Sequence, residues 1–173
     1  MTRPLDADWI TPELALGGRF DEEHVARIAG DLGIRHVVDV RIEDCDDEGL
    51  LRAHGIELLH LPTEDVCAIE DGMLREGVAW VDARLERAGR VLLHCAHGIG
   101  RSALLAVCVL VARGEAPLDA LSRTKRARPV VAPSPAQLAS FVRFCAERRA
   151  ERPESWEVPS FPELAEIAYR NLR

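Results

Sequence analysis

Three short runs of apolar residues, separated by helical patterns, constrain the fold of this chain most. The runs are HVVDV (36–40), IELLHL (56–61) and VLLHC (91–95), and such runs are typical of buried strands. One helix is predicted after Asp21, with its apolar residues on one face and Gly33 at its end. A second helix is predicted over about 71–89, ending at Gly89. Alternating strands and helices predict an α/β fold with a largely parallel sheet.

The chain beyond residue 101 shows helical patterns only. Residues 102–113 are apolar nearly all round, as in a central buried helix, and residues 118–127 form a basic helical pattern. A helix over 135–149 is predicted from Ser134 as cap and Pro135 in the first turn. The pattern from Ser160 to Glu163 matches a capping box before a last helix. We therefore predict a single α/β domain, with helices flanking a central, mostly parallel sheet and a helical C-terminal half.

Composition and charge exclude several classes of partner. The chain has 173 residues and a formal net charge of −7, which argues against nucleic-acid or anionic-membrane binding. Its longest apolar run, residues 103–112, is shorter than the roughly 20 residues of a membrane span. The first ten residues lack the apolar segment of a secretory signal. Five cysteines without a CxxC pair indicate reduced thiols, so we expect a cytoplasmic protein; the oligomeric state is not readable.

The stretch VLLHCAHGIGRS (91–102) combines a nucleophile with groups that bind anions. The predicted strand would bring Cys95 to the carboxyl edge of the sheet, where ligands bind in open α/β folds. Gly98 and Gly100 allow a tight turn with inward amides, which lead into a helix N-terminus. Arg101 adds a planar guanidinium that can hold a phosphate through two hydrogen bonds. These groups favour the thiolate of Cys95, so the loop is suited to displacement at a phosphate.

The sequence from His94 to Ser102 resembles the loop of the protein tyrosine phosphatase superfamily, in particular the small dual-specificity phosphatases. The resemblance extends over about residues 10–149, through ITPELALGG (10–18), GIRHVVDVR (33–41), GIELLHLPTEDV (55–66) and RPVVAPSPAQLASF (128–141). It implies a dual-specificity phosphatase-like catalytic domain over 1–150. Residues 151–173 would form a helical extension packed on the same domain.

The resemblance also implies a role for each residue of the loop. Cys95 would be the nucleophile, Arg101 would bind and stabilise the phosphate, and Ser102 would stabilise the leaving thiolate of the second step. The substrate-binding residues would be His94, Ala96, His97, Gly98, Ile99, Gly100 and Arg101. His94 matches a family histidine that hydrogen-bonds the loop and tunes the cysteine, although a buried imidazole satisfied by backbone would look identical.

The family mechanism requires a carboxylic acid about 30 residues before the cysteine. Asp65 lies where the resemblance places that acid, and Glu64 is the next candidate. Asp71 is better explained as a helix cap. Gln137 lies where some relatives have a water-positioning glutamine, whereas a Gln at such a position is more often a solvated helix residue.

The implied activity is hydrolysis of phosphotyrosine, and of phosphoserine and phosphothreonine, through a cysteinyl-phosphate intermediate. Two alternatives stay open: a catalytically weak module that binds phosphorylated ligands, and a phosphatase for a non-protein ester such as a phosphoinositide. A highly charged inositol headgroup is disfavoured because the loop contains no lysine. The basic run RTKRARP (123–129) would guide phosphorylated partners or form a solvated helix face.

Neither a metal nor a cofactor is expected. His94, Cys95 and His97, with Cys67 or His60, contain suitable zinc donors but lack the second ligand pair usual in zinc sites. Cys67 and Cys45 are instead candidates for a disulfide with Cys95 after oxidation. The alternative is that both are small buried hydrophobic residues.

Overall fold

Five strands form one sheet in the order β1-β2-β5-β3-β4 in the computed structural model, which describes residues 4–172. The strands are β1 (Ala7–Trp9), β2 (Leu14–Gly17), β3 (His36–Arg41), β4 (Glu57–Thr63) and β5 (Val91–His94). Only β1 and β2 pair antiparallel; the other neighbours are parallel. His94 at the end of β5 is in register with Gly17 and Asp39, so the loops after these three strands leave the same edge.

Seven α-helices surround this sheet. They are α1 (Val25–Gly30), α2 (Glu48–Ala53), α3 (Asp71–Glu86), α4 (Arg101–Ala112), α5 (Pro117–Ala127), α6 (Pro135–Glu151) and α7 (Phe161–Ala168). A short 3₁₀ turn, Glu22–His24, precedes α1. The predicted α/β fold is confirmed, and the sequence patterns missed only the six-residue α2 among the helices.

Apolar side chains on the two faces of the sheet build two separate cores. The alternation of β5 shows this, because Val91 and Leu93 pack in the larger core while Leu92 packs in the smaller one. The larger core is built around α4, which is buried on nearly all sides as its apolar sequence predicted. The N-terminus of α4, at Arg101, is thereby held at the carboxyl edge of β5.

The helix caps agree with the sequence patterns at α6 and α7 but not at α1 and α3. Asp21 precedes the 3₁₀ turn, whereas the N-cap of α1 is His24 and α1 ends at Gly30 rather than at Gly33. Ser160 forms the predicted capping box with Glu163. Ser134 is the predicted cap of α6, and the structure adds that Gln137 completes a capping box with it. The prediction that Asp71 caps α3 is wrong. The carboxylate of Glu70 instead accepts hydrogen bonds from the amides of Gly72 and Met73, both at 2.9 Å.

The last helix packs on α5 and α6. Leu164 and Ala168 are fully buried in the larger core. The hydroxyl of Tyr169 donates to the carbonyl of Pro133 at 2.7 Å, on the segment that leads into α6. A boundary at residue 150 stays a prediction. Among the described residues, no helix has the length and apolar character needed to cross a membrane.

The five cysteines are free and fall into two groups. Cys95, Cys108 and Cys145 are buried, whereas Cys45 and Cys67 are exposed. The alternative reading of Cys45 and Cys67 as buried hydrophobic residues is therefore wrong. Burial raises the pKa of Cys145 to about 12, so this thiol is unreactive at neutral pH.

Candidate active site

Cys95 lies directly after β5, at the bottom of the loop formed by residues 95–102, and is only 3% exposed. Its sulfur is 3.2 Å from the hydroxyl of Ser102 and accepts a hydrogen bond from the amide of Gly98 at 3.3 Å. Burial by itself raises the pKa of this thiol. Hydrogen bonds from the Ser102 hydroxyl and from the amides of Ser102, His97 and Gly98 outweigh burial, so the pKa lies below its ordinary value. The thiolate predicted from the sequence is therefore favoured.

The two glycines of the loop are required by close approaches. Gly98 has a φ of 63°, and a Cβ atom there would lie 2.6 Å from the carbonyl group of Gly17. A Cβ atom at Gly100 would lie 2.5 Å from Oε1 of Gln137. The loop is thus packed against the end of β2 on one side and the first turn of α6 on the other.

Arg128 fixes the backbone of this loop from below. Its Nε donates to the carbonyl of Gly98 at 2.9 Å, and its Nη2 donates to the carbonyl of His97 at 2.8 Å. The carboxylates of Asp6 and Asp8 bind the other side of the same guanidinium. With these two carbonyls turned toward Arg128, the amides of His97 and Gly98 are directed at the sulfur of Cys95 instead. The sequence analysis placed Arg128 in a basic run that would guide partners or form a solvated helix face, and at the start of a segment resembling the family's loop beside the site. In the structure it is an internal support of the Cys95 loop.

Arg101, the first residue of α4, lies beside the space above Cys95, which we call the pocket. Its guanidinium is already hydrogen-bonded to protein groups. Nη1 and Nη2 each donate to one oxygen of the Glu43 carboxylate at 2.7 Å, and Nη1 also donates to the carbonyl of Thr63 at 2.8 Å. The hydrogen bonds from Arg101 lower the pKa of Glu43 to about 2. The Nε atom of Arg101 is buried without a hydrogen-bond partner among the described residues, so one donor stays available for an anion.

Glu43 was not identified from the sequence. Its signal was its position two residues after the end of β3, whose carboxyl end lies at the same sheet edge as Cys95. The segment in which it lies, IEDCDDE (42–48), is rich in acidic residues. With several carboxylates so close together, the sequence could not predict which of them faces the pocket.

Asp65, the residue proposed from the resemblance as the acid, lies beside Arg101 in the structure. Its Oδ1 atom lies 3.5 Å from Nη2 of Arg101, and the side chain is 70% exposed. The same oxygen accepts the amide of Val66 at 3.0 Å. Glu64 makes no side-chain contact with Arg101 among the described residues. Asp71 lies away from the pocket, 3.4 Å from Arg143 of α6.

His94 is fully buried beneath the loop rather than exposed to the pocket. Its Nε2 atom is 2.6 Å from the carboxylate of Asp46, and its ring centroid lies 4.9 Å from that of Phe20. The sequence predicted a hydrogen bond from this histidine to the loop, but the imidazole bonds to Asp46. Arg41 binds Asp46 and Asp39, which joins the ends of β3 and β5 through one charged network.

Three groups of side chains in the described chain are close enough to share a metal ion. The groups are Asp39, Cys45 and His60; Asp21, Glu23 and His24; and Asp39, Asp46 and His94. The last group already contains the guanidinium of Arg41, bonded to both carboxylates. Neither Cys95 nor His97 belongs to any of these groups, so the set of ligands considered from the sequence does not come together.

Gln137 is 1% exposed, so its reading as a solvated helix residue is wrong. Its Nε2 donates to the carbonyl of Cys67 at 3.0 Å, and its Oε1 accepts the amide of Ser134 at 2.8 Å. Gln137 therefore connects α6 with the segment that carries Asp65.

Comparisons with known proteins agree with this geometry. The family model described as PTP-SAK, "Swiss Army Knife protein, DSP-PTPase phosphatase domain", matches residues 5–158. The solved structure of Tk-PTP in the active form is 27% identical, with a TM-score of 0.74, over 80% of this chain and 95% of that chain.

Two further solved structures show the same fold at lower identity. PTPMT1 in complex with PI(5)P is 22% identical, with a TM-score of 0.78, over 84% of this chain and 97% of that one. Human DUSP28 is 22% identical, with a TM-score of 0.73, over 86% of this chain and 98% of its own. The family match over most of the chain and the thiol at the bottom of the loop lead to one conclusion: the chain belongs to the DSP-PTPase phosphatase domain family and is a cysteine-dependent, small dual-specificity-type phosphatase.

Proposed function

We propose that Cys95 is the nucleophile of this phosphatase, with Arg101, Asp65 and Ser102 as the other catalytic residues. The observation that carries this proposal is the sulfur of Cys95, which lies within hydrogen-bond distance of Ser102 and Gly98 while Nε of Arg101 stays unpaired. The charge of Arg101 also interacts with Cys95, so the nucleophile and an anion-binding cation lie near each other, as displacement at phosphorus requires. His97, Ile99 and the other loop residues named above contribute the walls and amides of the pocket.

In the first step the thiolate of Cys95 attacks the phosphorus atom. A sulfur–phosphorus bond forms, the bond from phosphorus to the ester oxygen breaks, and Asp65 gives its proton to that oxygen. An alkoxide or phenolate is a poor leaving group unless it is protonated, so this transfer lowers the barrier. Arg101 and the loop amides stabilise the charge on the phosphoryl oxygens.

In the second step water hydrolyses the cysteinyl phosphate. The carboxylate of Asp65 takes a proton from water, the water oxygen bonds to phosphorus, and the sulfur–phosphorus bond breaks. The electron pair returns to Cys95 as a thiolate, which the hydroxyl of Ser102 stabilises. Inorganic phosphate is released, and with Asp65 protonated again the enzyme has returned to its starting state.

We propose phosphotyrosine, phosphoserine and phosphothreonine as the substrate class. Three features support esters with a single phosphate: the loop has no lysine, Glu43 is 45% exposed beside Arg101, and Asp65 is exposed at the same place. Additional phosphates on a substrate would meet these carboxylates. A phosphoinositide with one phosphate is the second candidate, favoured by the similarity to PTPMT1 in complex with PI(5)P.

A panel of substrates tests this proposal. Phosphopeptides with each of the three phosphorylated residues and vesicles with phosphatidylinositol 5-phosphate would be compared through release of inorganic phosphate. Faster turnover of the peptides supports the protein substrate, and faster turnover of the lipid supports the second candidate. Binding of the phosphopeptides without any turnover would make the chain a phospholigand-binding module.

The five free thiols support a cytoplasmic location, where thiols are kept reduced.

A further inference from the structure

The segment formed by residues 64–67, which we call the acid loop, contains a strained residue next to Asp65. Val66 has a φ of 58° and its side chain is 66% exposed. A left-handed backbone is unfavourable for a β-branched residue and persists only where neighbouring groups hold it. The side chain of Val66 packs too little to supply that restraint, so contacts to the backbone of the acid loop must supply it.

Two side chains of α6 make these contacts. The hydroxyl of Ser134 donates to the carbonyl of Val66 at 2.6 Å. The amide of Gln137 donates from Nε2 to the carbonyl of Cys67 at 3.0 Å. A turn from the amide of Cys67 to the carbonyl of Glu64, at 3.2 Å, completes the loop. Both carbonyls directly after Asp65 are therefore bonded to the first turn of one helix.

The same two side chains also cap that helix, and Gln137 in addition packs against the loop that carries Cys95. The backbone amide of Gln137 donates to the Ser134 hydroxyl at 3.2 Å. The side-chain Oε1 of Gln137 accepts a hydrogen bond from the backbone amide of Ser134 at 2.8 Å. Gln137 packs so closely on Gly100 that a Cβ atom would not fit between them. The capping box of α6 is thus a fixed point that contacts both halves of the active site.

We propose that Ser134 and Gln137 are positioning residues that hold the acid loop so that Asp65 stays at the pocket. This inference depends on the proposed role of Asp65 as general acid. It assigns Gln137 to the placement of the acid loop, since Nε2 and Oε1 both have partners in the protein. Loss of either bond frees a carbonyl of the loop, and the strained backbone at Val66 relaxes away from its catalytic conformation.

The test uses two substrates that differ in their need for a proton. An alkyl phosphate needs general acid catalysis, whereas an activated aryl phosphate such as p-nitrophenyl phosphate needs it much less. Ser134→Ala is expected to lower kcat/KM for the alkyl phosphate at least tenfold more than for the aryl phosphate. Ser134→Thr keeps a hydroxyl and is expected to restore the ratio. In an Asp65→Asn background, Ser134→Ala is expected to cause little further loss on the alkyl phosphate.

Two further variants separate the loop contact from the helix cap. Gln137→Glu keeps an acceptor for the amide of Ser134, and so the capping box, but removes the donor to Cys67. It is expected to change the substrate ratio in the same direction as Ser134→Ala. Ser160→Ala breaks the matched capping box of α7, far along the chain, and is expected to leave the ratio unchanged.

The possible outcomes distinguish this inference from the role of Asp65. Ser134→Ala and Gln137→Glu could slow both substrates equally while Asp65→Asn slows mainly the alkyl phosphate. That result would overturn the positioning role alone. Full additivity of Ser134→Ala with Asp65→Asn would overturn it as well. Equal slowing of both substrates by Asp65→Asn would remove the acid role and the positioning role together.

Discussion

The carboxylate of Glu43 accepts two parallel hydrogen bonds of 2.7 Å from the guanidinium of Arg101. The side chain of Arg101 is buried. This pairing fixes the plane of the guanidinium before substrate arrives, while Nε stays unpaired. A preorganised donor needs no rearrangement during the reaction, so we expect the pairing to help Arg101 stabilise the transition state.

Glu43→Gln is expected to lower kcat/KM by about 10²-fold, because small displacements of a positioned group cost about that much. The amide cannot bind both Nη atoms as an acceptor, so Arg101 loses its fixed orientation. Steady-state kinetics on an aryl phosphate would measure the loss. Glu48→Gln is the control, since Glu48 pairs only with exposed Arg52. Wild-type kinetics in Glu43→Gln would contradict the positioning role.

Cys95→Ser is expected to abolish turnover and to keep binding of inorganic phosphate. Serine fits the same loop but is not ionised at neutral pH, whereas the pKa of the Cys95 thiol is lowered. Phosphate release and isothermal titration calorimetry would measure the two properties. A rate within tenfold of wild type would exclude Cys95 as the nucleophile.

EDTA should leave wild-type activity intact, and loss of activity that is restored by added metal would indicate a metal site.

Asp65→Asn is expected to slow an alkyl phosphate by about 10²–10⁴-fold and an activated aryl phosphate far less. The asparagine side chain keeps the shape but carries no proton for the leaving oxygen. Glu64→Gln, its exposed neighbour, should leave the ratio of the two rates unchanged. If Glu64→Gln instead shows the selective loss, the acid is Glu64.

Ser102→Ala is expected to move the acid limb of the kcat/KM profile to higher pH. The Ser102 hydroxyl is one of the groups that lower the pKa of Cys95 against the effect of burial. Without it the thiol loses its proton only at higher pH, so less thiolate is present at each lower pH. The rate of Cys95 alkylation by iodoacetamide, followed across pH by mass spectrometry, would measure the shift. An unchanged profile would mean that the loop amides alone set this pKa.

The same lowered pKa affects stability in a defined direction. A thiol whose pKa is lower in the folded state stabilises the fold at high pH, and this contribution is lost as pH falls through the folded pKa. Ser102→Ala should therefore reduce the rise in stability with pH across that range. Urea unfolding at several pH values would show it.

Gly98→Ala is expected to lower the free energy of unfolding more than Gly55→Ala. Both glycines have a left-handed φ, 63° and 72°, so both substitutions cost about 1–2 kcal/mol from the backbone. Only at Gly98 would the added Cβ lie 2.6 Å from the backbone of Gly17, whereas nothing lies within 4 Å at Gly55. Urea unfolding of both variants would compare them, and equal losses would show that the Cys95 loop can move away from β2.

Features that depend on neighbours along the chain could be predicted from the amino-acid sequence. The alternation of apolar runs predicted the α/β fold, because burial on two faces of a sheet requires that pattern. Cys95, Gly98, Arg101 and Ser102 lie within eight residues, so the turn between β5 and α4 brings them together in any structure that forms both elements. The cap at Ser134 and the capping box at Ser160 were also predicted correctly, since a cap and the amide that it binds are three residues apart.

The distant residues that support that loop became apparent only from the folded chain. Glu43 is 58 residues from Arg101, Cys67 is 70 from Gln137, and Asp6 is 122 from Arg128. Local patterns carry no information on such pairings, because charged residues such as those of 42–48 and 123–129 look alike whether they face water or a partner. Sheet register and helix packing select one carboxylate or guanidinium from each run and bury it. The nucleophile was therefore readable from the chain, whereas the groups that hold its surroundings in place depend on how the layers pack.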